Sequence, residues 1–215
     1  MKKQKNHKNT KMDILNTARE LFETQGYNKT TIRQIIKKAG VTTGSLYHFY
    51  SNKDDILLNI TNDYFEAVIT KANELAHEYN EPLLGFSLDA SIIFHLMDRH
   101  KTLEELLLTS YNSPFVSAQI INLASNATKK WFGAYNPSFA HCEYYNRSVL
   151  IRGIFHGLLN DHLYESAIPL KDKIDLLITT VNQMFNVPNE KIQKLLLQTE
   201  KIINENKITI LDYKI

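Results

Sequence analysis

The chain has 215 residues, 43% of them hydrophobic, which is enough for one large domain or a small domain followed by a larger one. Seven glycines and five prolines are too few for a turn-rich all-β architecture, and a single cysteine, Cys142, excludes an internal disulfide framework and a multi-cysteine metal site. The net charge of +2 conceals an asymmetry: residues 1–53 carry 11 Lys/Arg against 3 Asp/Glu, and residues 54–215 carry 14 against 20. A basic head on a mildly acidic body is the footprint of a chain that meets a polyanion with one end. For Lys2, Lys3, Lys5 and Lys8 alone, a solubilising tail explains the charge equally well.

Taken in chain order, the first predicted helix starts at Thr10, paired with Asp13, and carries the stripe Ile14, Ala18, Leu21 and Phe22 up to a stop at Gly26. Thr31 and Gln34 form a capping box for a second helix with Ile32, Ile35, Ile36 and Ala39 on its buried side. Gly40 stands where a left-handed turn residue is needed, and Val41 plugs the angle. Thr42 or Thr43 then caps a third helix. Ser51 with Asp54 starts a fourth, running to about Tyr79. Glu81-Pro82 restarts a helix that reaches about His100, followed by a short Leu103–Leu108 segment. Pro114 opens the next helix, which ends near Tyr135 before the Asn136-Pro137 break. Glu143–Leu163 is apolar on nearly all sides and so predicts burial on more than one face. Ile174, Leu177, Ile178, Val181, Met184 and Phe185 make a clean stripe, and a last helix follows Pro188. Apart from the tail Ile208–Tyr213 no strand is expected. The predicted fold class is all-α.

Three helices with a sharp turn between the second and third form a helix-turn-helix, whose third helix can enter the major groove. Gly44 and Ser45 are small and allow close approach. Thr31, Thr42 and Thr43 place hydroxyls and helix N-terminal N–H groups where phosphates would lie, and Tyr47, His48 and Lys53 add donors. Each threonine could equally be a plain helix cap, and Tyr47 a half-buried structural residue. Together, at this spacing, they predict DNA binding.

Residues 14–57 resemble the N-terminal DNA-binding domain of the TetR family of bacterial transcriptional regulators. The likeness rests on Ala18–Leu21-Phe22, Gly26-Tyr27, Thr30-Thr31-Ile32, Ile35, Ala39-Gly40-Val41, Thr43-Gly44-Ser45-Leu46-Tyr47 and Lys53. The resemblance implies a DNA-binding domain over residues 1–53 and a helical ligand-binding and dimerisation domain over 54–215. It implies that Thr43, Ser45 and His48 face base edges with Gly44 permitting approach, that Thr31, Thr42, Tyr47 and Lys53 hold phosphates, and that Arg33 reaches either. The chain departs from the family pattern at Phe49-Tyr50. Phe49 cannot donate to a phosphate, while Tyr50 either substitutes for it or fills the core.

The same resemblance implies a homodimer built by two late helices, with Gly153, Gly157, Leu177 and Val181 as its residues. The GxxxG spacing of the glycines also suits close packing inside one subunit. A ligand cavity would lie among the central helices, with Phe86, His95, Tyr111, Trp131, Tyr135 and His156 as lining, each of which could instead be ordinary core. The histidine spacings His95/His100 and His156/His162 do not suit a metal, and no cofactor is expected. The N-terminus lacks a signal-type apolar stretch, and Ser148–Leu159 contains Arg152 and is too short to span a bilayer, so a cytoplasmic chain without membrane contact is expected. With no Gly-rich phosphate loop and no nucleophile–base pairing, the chain is not expected to be an enzyme. The reading is therefore a DNA-binding repressor with a double-stranded operator and a small-molecule effector. A helical enzyme or carrier without DNA binding, or a family member acting through a protein partner, are the alternatives.

Overall fold

The computed structural model describes residues 2–163 and 167–215, without the side chains of residues 2–9 and of His162. The predicted basic-arm side chains Lys2, Lys3, Lys5 and Lys8 therefore lie outside the described residues. Ten α-helices appear among those residues: α1 (Lys2–Gln25), α2 (Ile32–Ala39), α3 (Thr43–Phe49), α4 (Lys53–Glu78), α5 (Leu84–Arg99), α6 (Lys101–Asn112), α7 (Pro114–Phe132), α8 (His141–Leu159), α9 (Leu170–Met184) and α10 (Asn189–Glu205). A two-residue antiparallel pair, β1 (Thr209–Ile210) with β2 (Tyr213–Lys214), closes the tail. Among the described residues no helix is long and apolar enough to cross a membrane.

Several boundaries differ from those expected. Helix α1 begins at Lys2 rather than at Thr10, because nothing in the Lys- and Gln-containing stretch before it breaks a helix. The cap of α4 is Asn52, whose Oδ1 accepts from the Asp55 N–H at 2.8 Å, while Asp55 reaches back to the Ser51 N–H at 2.9 Å. Asp54 is thereby left for Tyr27, whose hydroxyl donates to it. Helix α6 fills Lys101–Asn112, about twice the expected segment, and α8 stops at Leu159 before a short 3-10 turn, Asp161–Leu163.

Two compact units divide the chain within α4 and α7. The first comprises residues 1–63 and 101–117, the second residues 64–100 and 118–215. In the first unit, Ile14, Leu15, Ala18, Leu21 and Phe22 of α1 are buried, and α1 packs against α2, α3 and α6. Thr61 and Ser110 share a hydrogen bond of 2.7 Å between α4 and α6, and Arg19 pairs with Asp63 at 2.7 Å.

In the second unit, α5 is the centre. Its residues Leu84 to Phe94 are all buried, and it packs on α9 and α10. Trp131 of α7 lies so close to α5 that a Cβ at position 85 would stand 2.3 Å from the indole nitrogen, so only Gly85 admits it. The Asn136-Pro137 break is tied rather than loose. Asn136 Nδ2 donates to the carbonyls of Phe132 and Phe185 at 2.9 and 2.8 Å, and the Phe132 and Phe185 rings stack with centroids 4.3 Å apart.

Candidate nucleic-acid interface

Local chemistry accounts for each turn of the segment from Thr30 to Lys53. Thr30 is buried and donates to the Gly26 carbonyl at 2.9 Å, closing the loop after α1, where Gly26 takes φ +84°. Thr31 caps α2 as expected: its hydroxyl accepts from the Gln34 N–H, and Gln34 Oε1 accepts from the Thr31 N–H at 2.7 Å. Helix α2 ends at Gly40, which adopts φ +65°. Thr42, not Thr43, caps α3 through a 3.1 Å bond from the Ser45 N–H, and its hydroxyl also meets Ser45 Oγ at 3.0 Å.

Helix α3 has seven residues and fully buries one of them, Leu46. Thr43, Gly44, Tyr47 and His48 are exposed and Ser45 is half-exposed. Nothing in the chain requires glycine at position 44, since an added Cβ would meet only Thr42 Oγ1 at 3.9 Å. A helical glycine costs about 1 kcal/mol relative to alanine. On α2, Arg33 and Lys37 are exposed four residues apart and so share one side of the helix. Lys38 is instead paired with Glu20 of α1 at 2.6 Å. Lys37 was missed by sequence reasoning, although its i+4 spacing from Arg33 signals the same face.

Two expected phosphate contacts change character. Tyr50 is 1% exposed and its hydroxyl donates to the Lys11 carbonyl of α1 at 3.3 Å, so it fills the core and does not replace a donor lost at Phe49. Burial, with Asp55 and Asp63 nearby, pushes its phenol up to about 12. Phe49 packs edge-on against His48, with centroids 4.8 Å apart. Lys53 was expected on a phosphate, but its ammonium donates to the carbonyls of Tyr27 and Thr30 at 2.9 and 3.0 Å and sits 4.0 Å from the centre of the Tyr27 ring. Burial lowers its pKa, partly offset by Asp54. Burial and the hydrogen bond to Asp54 push the Tyr27 phenol well above its ordinary value. Lys53 is thus a clamp between α4 and the loop before α2. Lys53→Met, which keeps the stem, should destabilise the first unit by about 2 kcal/mol, since charge-assisted hydrogen bonds contribute roughly 1.5–3 kcal/mol. Urea unfolding followed by circular dichroism measures this, and an unchanged midpoint would remove the clamp.

The six residues expected around a ligand do not converge. His95 lines a cavity between α5, α9 and α10. Trp131 donates to Asn73 Oδ1 at 2.8 Å, packs against Phe86, and borders a different, shallow hollow. Phe86 is buried beside Phe132, and Tyr111 is buried in the first unit. Tyr135 is exposed and His156 half-exposed on α8. Phe86 and Tyr111 fill space between helices rather than border it. Among the described residues, no group of three His, Cys, Asp or Glu side chains is placed to hold a metal ion.

The four expected dimer residues also separate. Leu177 and Val181 are fully buried within the subunit, since the α9 stripe faces its own core. Among the described residues nothing lies within 4 Å of a Cβ added at Gly153 or Gly157 of α8, so no described residue packs tightly on them. Beside them Val149 and Leu150 are 41% and 58% exposed, although Tyr144, Ile151, Phe155 and Leu158 of the same helix are buried. Helix α8 thus has a buried side and a more open side on which Val149 and Leu150 stand beside Asn146, Arg152 and His156.

Residues 14–60 match the family described as bacterial regulatory proteins, tetR family. These residues belong to the TetR family. The family match spans the α1–α3 unit and the start of α4. Among curated relatives, the chain is 24% identical over 102 residues to the uncharacterized HTH-type transcriptional regulator YuxN of Bacillus subtilis, covering 47% of this chain and 35% of that protein. It is 38% identical over 68 residues to the HTH-type transcriptional regulator HbdR of Aromatoleum sp., covering 30% of each. The matches therefore span about a third of the length of these two relatives. The likeness in fold extends further. The structure of RolR in complex with resorcinol superposes with a TM-score of 0.65 at 16% identity, covering 90% of this chain and 95% of that one.

Proposed function

We propose that this chain is a homodimeric transcriptional repressor that grips a palindromic operator with α2 and α3 and is released by a small, largely apolar ligand. The observation that carries this reading is α3 itself, a seven-residue helix anchored by Leu46 and otherwise turned outward. A helix so lightly buried contributes little to its own core, and Gly44 on its open side suits a duplex approaching within backbone distance. Thr43, Ser45 and His48 read base edges, and Thr31, Thr42 and Tyr47 steady the sugar–phosphate chain. Arg33 and Lys37 supply positive charge from α2. Lys53 acts indirectly, by holding the loop that positions α2. One such head reads half a site, so the open side of α8, around Leu150 and Gly153, joins two subunits. The bound resorcinol of RolR supports a small-molecule effector for the second unit.

A fluorescence-anisotropy titration against the duplex flanking the protein's own gene tests the reading. The expected result is salt-sensitive binding about a thousandfold tighter than to scrambled duplex. Equal affinity for both would overturn it. Within that assay, His48→Ala should change preference at particular base pairs by roughly tenfold, whereas Lys37→Ala should weaken all sequences alike and reduce the salt slope by about one. Uniform losses from both would show that α3 does not read bases through His48.

A further inference from the structure

Helices α5, α9 and α10 pack together but leave a cavity of about 290 Å³. Ile174 and Ile178 of α9 and Leu196 and Ile203 of α10 make its walls apolar. The uncharged polar side chains Ser91, His95, Thr199 and Asn204 interrupt that lining. Thr199 is 2% exposed, and its buried Oγ1 has no hydrogen-bond partner among the described residues. A helical threonine ordinarily returns its proton to the carbonyl one turn back, so a buried, unpaired hydroxyl facing a cavity is a donor and acceptor left open. His95 Nδ1 lies 2.8 Å from the Ser91 carbonyl oxygen. A carbonyl only accepts, so Nδ1 carries the proton, and in the neutral ring Nε2 presents a lone pair.

The mouth is charged but internally paired. Lys171 of α9 bridges Asp175 at 3.3 Å and Glu200 of α10 at 3.0 Å. Among the described residues no other Lys, Arg, Asp or Glu lines the cavity, so its interior offers neither a counter-ion for an anion nor a carboxylate for a cation. The volume lies at the small end of ligand sites.

We propose that this cavity is the effector site, and that it takes a small uncharged molecule with an apolar ring or short chain and one hydroxyl. The ligand hydroxyl donates to His95 Nε2 and accepts from Thr199 Oγ1. The inference rests on reading the second unit as the effector-binding one, and it adds the place and the chemical class.

Calorimetric titration of the full chain with 4-ethylphenol and with its methyl ether, 4-ethylanisole, tests it. The phenol should bind at least tenfold more tightly than the ether, which has the same ring and no proton to donate. Thr199→Val should weaken phenol binding about tenfold, while raising the melting temperature of the unliganded protein, because the orphaned hydroxyl is gone. His95→Phe should abolish the preference for phenol over ether. Equal binding of the two compounds, or a Thr199→Val variant that binds the phenol unchanged, would overturn the assignment. So would a lowered melting temperature in that variant, which would mark the hydroxyl as structural. Duplex titration of the same proteins separates the two levels: operator binding with no phenol binding defeats this site and leaves the repressor reading standing.

Discussion

Leu150→Arg should turn a dimer into a monomer and abolish operator binding at concentrations where the unaltered protein saturates. Leu150 is 58% exposed on α8, next to Val149 and one turn from Gly153. At a two-fold interface the substitution is met twice, so two guanidinium groups are buried against apolar surface and near each other. Burying an unpaired charge costs about 3–5 kcal/mol, a shift of at least a hundredfold in dimer dissociation. The fold of the single chain should survive, since the side chain leaves no cavity. Analytical ultracentrifugation with a thermal melt decides the matter. A variant that stays dimeric and keeps its operator affinity would place the interface elsewhere than α8.

Asp89→Asn should stabilise the protein at pH 8 and flatten its pH dependence. Asp89 lies in the buried centre of α5, and its Oδ1 accepts no hydrogen bond among the described residues. Burial raises its pKa from 3.8 to about 8. The folded chain therefore binds this proton more tightly than the unfolded one, so the carboxyl carries no penalty below pH 3.8 and a growing one up to about pH 8. A tenfold difference in proton affinity is worth about 1.4 kcal/mol, so the full span is on the order of several kcal/mol. Urea midpoints at pH 5 and pH 8.5 should fall steeply for the unaltered chain and little for Asp89→Asn. Parallel curves would show that another group governs the slope.

The helix-turn-helix was legible because each of its decisions is made locally. Thr31 and Gln34 cap each other across three residues, Gly40 turns the chain alone, and Thr42 caps the helix it precedes. Lys53 was expected on a phosphate, and Tyr50 was left between two roles, because their partners are remote: Thr30 stands 23 residues from Lys53, and Lys11 stands 39 from Tyr50. A polar tip on a long side chain gives no sign in sequence of whether it meets solvent, phosphate or a distant carbonyl. The α9 stripe shows the complementary difficulty. Periodicity marks Leu177 and Val181 as covered, but it is silent on whether the cover is the same subunit or a second one. A cavity was expected among the central helices, but of the six residues named for it His95 alone lines the one between α5, α9 and α10. It is bordered by Ser91 and Thr199, two short side chains, whereas aromatic residues such as Phe86 and Tyr111, which attract attention in a sequence, fill the spaces they occupy.

Tyr50 and Lys53, both just after α3, tie the chain leaving that helix to α1 and to the loop after α1. The reading surface proposed above is consequently anchored where the chain leaves α3. On the proposed repressor reading, an effector then sets how firmly the heads engage without altering which letters they prefer. Every operator recognised by this protein should lose affinity by the same factor when the effector binds, so the ranking of its target genes is inherited unchanged through induction.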